Sequence, residues 1–394
     1  MPSRYDAVVI GAGPAGSTAA YEIAAGGFTV LFLEKHARPG TPLCCAEALS
    51  RSALEDIIKP RPEWISTVIE RVKCVAPSGM TAEVYHPQAG YVLDRPIFDA
   101  ALADRAAAAG ADLQCETIGL ELQGKDEHYE RLEILRPDGS REMVEAALFI
   151  AADGVESKIS RLAGMDNLIG LDETEACLQY RISGIEIAPD TLEFYVGRDV
   201  APQGYAWIFP KSETSANAGL GLAVRLEKGE RTAFYLDRLL KKRFGHYTIE
   251  KKFCGLVPRH QGRKMLRRGN LLVVGDAARV IDSLSGAGIG NALLSGQIAG
   301  EAAAAFLSGK LSDIEEVGRI YPKRFWDCKG EELIMYSRLR NMYNDLSDDE
   351  FEYIFRILKD HFAGRTVTDI NFIGLLTGMV LKRPRLLRLA RYLV

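Results

Sequence analysis

The sequence predicts an α/β fold in which a parallel sheet is interrupted by an antiparallel sheet and followed by a helical C-terminal segment. Continuous apolar runs at residues 7–10, 147–151 and 271–274 are typical of strands buried on both faces of a parallel sheet. Before the third run, residues 176–224 alternate between apolar and polar types and contain frequent turns, which indicates antiparallel strands. The last part of the chain has the spacing of helices.

The first apolar run continues into Gly11-x-Gly13-x-x-Gly16, an alanine-rich helical segment and a second apolar strand that ends at Glu34. Gly11 suits a tight turn, Gly13 allows a ligand to approach the backbone, and Gly16 lets the helix pack closely on the strand. The helix N-terminus offers free N–H groups to a pyrophosphate, and Glu34 stands about 20 residues on, where an acidic side chain binds a ribose. This order predicts a Rossmann-type dinucleotide site, and a glycine-rich helix start without a ligand is the weaker interpretation.

The composition is that of a soluble globular enzyme. The chain has 394 residues, 47% of them hydrophobic and 26% charged, which is enough for two domains. Its net charge of −4 gives no reason to expect a nucleic acid partner. Seven cysteines point to a reducing compartment, and the six histidines lack metal-ligand spacing, so we expect no metal site. Because we find neither a signal-peptide pattern nor an apolar stretch of about 18 residues, we expect a cytoplasmic protein.

The segment after the dinucleotide motif predicts a loop, a short helix, two strands and a long helix. Proline and glycine exclude regular structure from residues 36–42, and residues 50–58 have helical character. Residues 72–77 and 81–86 have the character of strands joined by a Ser-Gly turn. Residues 96–110 begin with proline and end with glycine, which are the residue types that the start and the end of a helix favour.

A second cofactor contact is predicted where the run at residues 271–274 ends at Gly275-Asp276. Farther on, residues 285–292 are rich in glycine and open another helix. An aspartate at a strand end can accept a hydrogen bond from a ribityl hydroxyl, and a helix N-terminus can stabilise negative charge on a reduced flavin. Alone, this pattern is also that of an ordinary helix cap; together with the first motif it favours a flavin nucleotide.

The motifs of this chain form a set that extends from residue 5 to about residue 330. The set consists of Gly11 to Gly16 with Glu34, Ala152-Asp153-Gly154 with Ser157 and Arg161, Val274 to Ala277, the loop Pro42 to Glu47, Leu178 to Arg181, Tyr205-x-Trp207-x-Phe209-Pro210-Lys211 with Gly219-x-Gly221, and Ser285 to Ala292. Together they resemble the geranylgeranyl reductase family, within the para-hydroxybenzoate hydroxylase-like flavoproteins.

The resemblance implies a two-domain fold of the glutathione reductase type, non-covalently bound FAD and reduction of isoprenoid double bonds. The order of strand types along the chain predicts a discontinuous FAD-binding domain at residues 1–72, 93–170 and 255–330, an antiparallel-sheet substrate domain at residues 73–92 and 171–254, and a helical region at residues 331–394. The predicted FAD contacts are Gly11, Gly13, Pro14, Ala15, Gly16, Glu34, Lys35, Cys45, Ala46, Arg95, Asp153, Asp276, Gly288 and Ile289. Cys44 stands where the family has arginine and Ala48 where it has glycine, which leaves the substrate class open.

Tyr205, Trp207 and Phe209 alternate along one predicted strand, so their side chains should point to one face, and Pro210 follows them. This face is either the apolar wall of a prenyl-binding site or the ordinary core face of a sheet. Reduction of an isolated alkene requires a proton, a hydride from flavin N5 and a dry aromatic environment for the cationic transition state. Cys45 is either the proton donor or a packing residue, and Cys44 is near enough for a vicinal disulfide.

Other flavoproteins share the predicted fold and remain rival interpretations. These are flavin monooxygenases or halogenases, quinone-linked electron-transfer flavoproteins of the FixC type, and flavin-binding proteins without enzymatic activity. The quinone-linked variety with its own iron–sulfur cluster needs clustered cysteines, which this chain lacks. The sequence shows no second dinucleotide motif, so electrons come either from NAD(P)H that docks transiently or from a reduced protein such as ferredoxin.

The C-terminal tail, residues 377–394, is basic. It contains five lysines and arginines with leucines between them and no acidic residue. A basic amphipathic helix can lie on an anionic membrane surface, where long prenyl lipids reside, or it can cap the domain with a solvated face. A peripheral contact with the inner face of the membrane is therefore one of two interpretations.

Overall fold

The structure is a computed structural model that describes residues 3–43, 45–165, 170, 174–223, 231–258, 262–367, 378, 380 and 384–392. The strands in these ranges are β1 Ser3–Ile10, β2 Val30–Leu33, β3 Ala48–Ser50, β4 Ile65–Val75, β5 Thr81–Leu93, β6 Asp112–Gln114, β7 Ile118–Lys125, β8 His128–Leu135, β9 Arg141–Ala151, β10 Thr174–Ser183, β11 Thr191–Tyr195, β12 Tyr205–Pro210, β13 Ser215–Ala223, β14 Thr248–Pro258, β15 Arg267–Arg268 and β16 Leu271–Val273. The α-helices are α1 Pro14–Ala25, α2 Arg51–Glu55, α3 Arg95–Ala108, α4 Lys158–Leu162, α5 Thr232–Phe244, α6 Ile289–Leu307, α7 Ile314–Asn344 and α8 Asp348–Phe362.

The first sheet carries the predicted parallel core. Its strand order is β15-β16-β9-β1-β2-β6, and β1 runs parallel to both β2 and β9. The three apolar runs of the sequence occupy its centre, where Val8, Phe149 and Leu272 are completely buried. The α/β fold class is therefore confirmed, because these runs form parallel strands that share one buried core with residues of α1, α3 and α6.

The second sheet has the order β14-β10-β13-β12-β11-β4-β5-β3. It differs from the predicted antiparallel sheet in one pair, since β11 runs parallel to β4. Three of its strands, β4, β5 and β14, also cross the predicted limits of residues 73–92 and 171–254, and β3 lies wholly outside them. Bulges in the pairing of β4 with β5 interrupt the apolar–polar alternation, which is why the sequence pattern captured only the second part of β4. The division into domains itself stays a prediction.

The helices differ from the sequence predictions mainly at their ends. The long helix predicted at residues 96–110 is α3, and Asp94 caps it by accepting a hydrogen bond from the main chain of Ile97. The helix predicted at residues 50–58 is only the five-residue α2, because the chain before it pairs with β5 as β3. α6 lies against α1, and a Cβ on Gly296 would come within 2.2 Å of the Ala15 carbonyl oxygen.

The helical C-terminal region packs against the second sheet. α8 begins with the predicted capping box of Ser347 and Glu350. In the tail, residues Pro384–Tyr392 form a 3-10 helix whose Leu386 and Leu389 are completely buried. Lys382 and Arg383 lie outside the described residues. Within the described ranges, no helix combines the length and the apolar character that crossing a bilayer requires.

Candidate functional site

The turn between β1 and α1 is shaped by its three glycines. Gly11 has a φ of +108°, and a Cβ there would lie 2.3 Å from the carbonyl oxygen of Ala152. A Cβ on Gly16 would lie 1.9 Å from the carbonyl oxygen of Gly11, so only glycine permits this close approach of helix and strand. Nothing lies within 4 Å of a Cβ built on Gly13. The turn therefore leaves open space directly in front of the N-terminus of α1, as a pyrophosphate site requires.

Glu34 directly follows β2, lies beside this turn and is largely buried. Its Oε2 accepts a hydrogen bond from the main chain of Ala12 at 3.0 Å, and its Oε1 lies 2.9 Å from the main-chain nitrogen and 2.7 Å from the ring Nδ1 of His36. A carboxylate accepts about four hydrogen bonds, so Glu34 can bind a ribose hydroxyl as well. Lys35 instead pairs with Glu156 at 2.7 Å on the surface.

Asp276 lies in a 3-10 turn directly after β16, next to the N-terminus of α6. A Cβ on Gly288, the residue before α6, would come within 3.0 Å of Asp276 Oδ1. Burial raises the pKa of Asp276, while Arg95 and Arg279 act in the opposite direction. No hydrogen bond from the described residues contributes to the pKa shift of this carboxyl group. It is thus available to a hydroxyl of a bound ligand, beside the main chain of Gly288 and Ile289.

Asp153 follows β9, and the structure gives it a local role. Its Oδ2 accepts a hydrogen bond at 2.9 Å from the main chain of Ile159 in the first turn of α4. Burial raises the pKa of the Asp153 carboxyl. Its contact with a cofactor stays a prediction.

The loop between β2 and β3 carries Cys45, Ala46 and Glu47 and lies on the second sheet. The carbonyl oxygen of Cys45 accepts a hydrogen bond from Gln179 Nε2 at 2.9 Å, and that of Ala46 accepts one from Asn217 Nδ2 at 3.2 Å. Burial raises the pKa of the Cys45 thiol, so the thiol keeps its proton at neutral pH. The vicinal disulfide cannot be described, because Cys44 lies outside the described residues.

Glu47 is the centre of a polar network that the sequence analysis did not identify. Its carboxylate is completely buried and accepts hydrogen bonds from Arg181, Lys211 and Asn217, each at 2.7–2.8 Å. Its other oxygen accepts one from the main chain of Arg95 at 2.8 Å. Arg181 lies in β10, Lys211 directly after β12 and Asn217 in β13. Glu47 therefore joins the Cys45 loop to the second sheet.

The guanidinium group of Arg95, a predicted cofactor contact, forms two hydrogen bonds of 2.6 and 2.7 Å with Asp99. Asp99 is buried and Arg95 is partly buried, and the Arg95 side chain also lies beside the sulfur of Cys45. Arg95 thus lies against the same loop, and its charge is balanced by Asp99.

Tyr205, Trp207 and Phe209 form a row on one face of the second sheet, as their alternation predicts. The ring centroids of Tyr205 and Trp207 are 5.8 Å apart, and those of Trp207 and Phe209 are 6.3 Å apart. Phe194 from β11 joins the row at 5.7 Å from Tyr205 and 5.2 Å from Phe209. The carbonyl oxygen of Pro210 accepts a hydrogen bond from the hydroxyl of Thr67. The prediction that the three rings share one face is confirmed.

Two glycines of β13 make room for these rings. A Cβ on Gly219 would lie 2.5 Å from Cζ2 of Trp207, and one on Gly221 would lie 3.9 Å from Cζ3. The indole Nε1 of Trp207 donates to Gln179 Oε1 at 2.9 Å. Since the other end of Gln179 binds the Cys45 carbonyl, this one side chain connects the aromatic row with the loop.

A buried ion pair closes the other end of the row. Arg340 of α7 pairs with Glu175 of β10, and only 2% of the Arg340 surface is exposed. Tyr205 lies next to this pair and donates its hydroxyl hydrogen to the carbonyl of Ser285. Burial raises the pKa of Tyr205 well above its ordinary range.

Most of the predicted residues thus fall into two groups. One is the glycine turn with Glu34, Asp276, Gly288 and Ile289, and the other is the Cys45 loop with the aromatic row. The side chains that connect the second group were missed, although Glu175, Cys177, Gln179 and Arg181 alternate along β10 and so share the face of the rings. Polar residues at every second position of an otherwise buried strand were the signal that could have revealed them.

Known proteins resemble this chain along its whole length. Residues 173–256 match the model of the geranylgeranyl reductase catalytic domain, and residues 9–53 match an NAD(P)-binding Rossmann-like domain. The digeranylgeranylglycerophospholipid reductase of Methanosarcina acetivorans is 37% identical over 91% of this chain and 90% of that protein. The reductase of the same name from Methanoculleus marisnigri is 34% identical over 98% of this chain and 97% of that protein.

Solved structures give the same result for the fold. The crystal structure of a geranylgeranyl bacteriochlorophyll reductase-like protein from Thermoplasma acidophilum superposes with a TM-score of 0.91, at 29% identity and with 100% of both chains covered. The flavin-dependent brominase Bmp2 superposes with a TM-score of 0.71 at 19% identity, with 97% of this chain and 100% of the brominase covered. At that identity the brominase shows a shared fold only.

Proposed function

The chain belongs to the geranylgeranyl reductase family, and from this we propose that it is a flavin-dependent reductase that saturates isolated carbon–carbon double bonds in the prenyl chains of a lipid. The observation that carries the proposal is the aromatic row joined by Gln179 to the Cys45 loop. A wall of aromatic rings beside the flavin loop is the arrangement that an apolar substrate with a cationic transition state needs.

We propose that the cofactor is FAD and that the glycine turn and Asp276 hold it. The open space at Gly13 suits a pyrophosphate, Glu34 has acceptor capacity for a ribose, and the carboxyl group of Asp276 can bind a ribityl hydroxyl. Gly288 and Ile289 begin α6, whose dipole stabilises negative charge at its N-terminus. When bound and reduced, the flavin supplies the hydride for the reaction.

The remaining chemistry falls to residues of the chain. An isolated alkene is not polarised, so a proton must reach one carbon while the hydride reaches the other. Our candidate proton source is the Sγ of Cys45, because its loop is joined to the rings through Gln179. Burial raises the pKa of this thiol, so it carries a proton at neutral pH but is a weaker acid than an exposed cysteine. The faces of Tyr205, Trp207 and Phe209 would stabilise the positive charge that develops on the tertiary carbon.

The test is a single-turnover reaction. The purified protein is reduced with dithionite under anaerobic conditions and mixed with a digeranylgeranyl glycerophospholipid, and the lipid is analysed by mass spectrometry. We expect the lipid mass to rise in steps of two hydrogens, while the absorbance band of oxidised flavin, at about 450 nm, returns. A flavin that stays reduced in the presence of every prenyl lipid would refute the proposal.

We propose that electrons arrive from NAD(P)H or from a reduced ferredoxin. The sequence has no second dinucleotide motif. NAD(P)H would therefore dock only transiently, and the alternative donor is a reduced protein. Stopped-flow reduction of the flavin with each donor, at equal concentration, distinguishes the two, because only the true donor reduces it within the turnover time.

Localisation in the cytoplasm, with contact between the basic tail and the membrane, also stays a proposal. In the structure, Arg388 binds Glu350 at 2.6 Å and Arg391 binds Asp345 at 2.5 Å. These pairs favour the interpretation in which the tail caps the domain. Flotation of the full chain and of a variant that lacks residues 380–394 with anionic liposomes tests the contact, and equal flotation of both would exclude a role for the tail.

A further inference from the structure

Three consecutive residues of the Cys45 loop are each fastened to the second sheet. Gln179 holds the carbonyl of Cys45, Asn217 holds the carbonyl of Ala46, and the carboxylate of Glu47 takes three further hydrogen bonds from the sheet. Because these contacts follow one another along the chain, the loop has little freedom to move relative to the aromatic row.

Glu47 is the strongest of these attachments. It is completely buried, and two cationic side chains, Arg181 and Lys211, each bind its Oε2 at 2.8 Å. Charge-assisted hydrogen bonds of this kind are about twice as strong as neutral ones. Burial lowers the pKa of Lys211, and the charge of Glu47 acts against that shift.

The backbone of Glu47 transmits this attachment to Cys45. Glu47 has a φ of +74°, a left-handed conformation that costs free energy for a residue with a Cβ and that persists only where the surroundings enforce it. In this conformation its main-chain N–H donates to the sulfur of Cys45 at 3.2 Å. The same residue therefore binds the sheet with its side chain and the thiol with its main chain.

We propose that Glu47 is a positioning residue for the reduction: its buried carboxylate, held by Arg181, Lys211 and Asn217, fixes the Cys45 thiol relative to the row of aromatic rings. The inference rests on the proposed prenyl reductase function. Glu47 does not itself exchange a proton with the substrate.

The test compares Glu47→Gln with Glu193→Gln. Glu193 is the matched control, because it is also a buried carboxylate of the second sheet and also binds two cations, Arg243 at 3.0 Å and Lys73 at 3.5 Å. Unlike Glu47, it does not contact the described residues of the Cys45 loop. We measure kcat and KM for the prenyl lipid, and the rate at which iodoacetamide alkylates Cys45, read from the mass of its peptide. Glu47→Gln should lower kcat at least tenfold, change KM less than threefold and accelerate alkylation of Cys45 at least tenfold.

The control and a conservative variant complete the experiment. Glu193→Gln should leave kcat and the alkylation rate of Cys45 within twofold of the wild type. Glu47→Asp keeps the charge, so its kcat and its alkylation rate should lie between those of Glu47→Gln and the wild type. If Glu47→Gln does not fold, Asn217→Ala, which removes one neutral donor, should show the same changes at smaller size. Unchanged alkylation of Cys45 in Glu47→Gln, or in Asn217→Ala if that variant replaces it, overturns the inference. A wild type that reduces no prenyl lipid would refute the proposed function instead, and the alkylation result would still stand on its own.

Discussion

Gly219→Ala should damage the site through one atom. The new Cβ would lie 2.5 Å from Cζ2 and 2.7 Å from Cε2 of Trp207, and 2.8 Å from the carbonyl oxygen of Leu178. Ordinary carbon contacts are about 3.5–4.0 Å long, so the indole must move by about 1 Å. Gly219 does not have a left-handed φ, so the effect is one of packing and not of backbone strain.

The expected cost follows from two contributions. Forcing a methyl group into a packed core costs about 1–3 kcal/mol. Movement of the ring also weakens the hydrogen bond from Trp207 to Gln179, and a buried amide oxygen left without its donor costs about 1–3 kcal/mol more. We therefore expect Gly219→Ala to lose about 2–6 kcal/mol of unfolding free energy and most of its activity.

Gly221→Ala is the matched control. It lies on the same face of the same strand, but its new Cβ would lie 3.3 Å from both Cys177 Sγ and a Glu175 carboxylate oxygen, and 3.9 Å from Cζ3 of Trp207, which is an ordinary contact distance. Urea denaturation followed by near-ultraviolet circular dichroism reports both the stability and the packing of the indole. Equal stability and equal prenyl reduction in the two variants would contradict the reasoning, because it would mean that the Trp207 ring is free to move.

Three further predictions address neighbouring groups. Trp207→Phe should cost about 1–3 kcal/mol of stability, because it leaves Gln179 Oε1 without its donor, and a thermal melt of the variant beside the wild type measures this loss. Cys45→Ala should slow alkene reduction and retain the flavin; loss of flavin on purification would show that the residue is structural. Since burial raises the pKa of the Cys45 thiol, its alkylation should be slow at neutral pH and rise with pH beyond the range of an exposed cysteine, and a half-maximal rate near pH 9 (about the pKa of a free thiol) would contradict this.

The sequence predicted those parts of the site whose residues are close together in the chain. The turn from β1 to α1 and the helix start at Ile289 depend on glycines within one local motif, and their geometry follows from local sterics. The aromatic row was predictable for the same reason, because alternation along one strand places Trp207 between its two neighbours.

The polar connections were not predictable, because their partners are far apart in sequence. Glu47 is separated from Arg181 by 134 residues, from Lys211 by 164 and from Asn217 by 170. No periodicity extends over such distances, and a glutamate in a loop is usually solvated. Its burial follows from the pairing of β10, β12 and β13, which only the folded sheet reveals.

The passage of the chain between its two sheets bears on how this protein folds. The chain builds β1 and β2 of the first sheet, then β3 to β5 of the second, returns for β6 to β9, leaves again for β10 to β14 and completes the first sheet with β15 and β16. Neither sheet is a continuous stretch of polypeptide, so neither can be cut out and expressed alone. The parallel contact of β4 with β11 can form only after more than a hundred intervening residues have been synthesised. Such long-range pairing slows folding, and we expect nascent chains of this protein to depend on chaperones until β16 has left the ribosome.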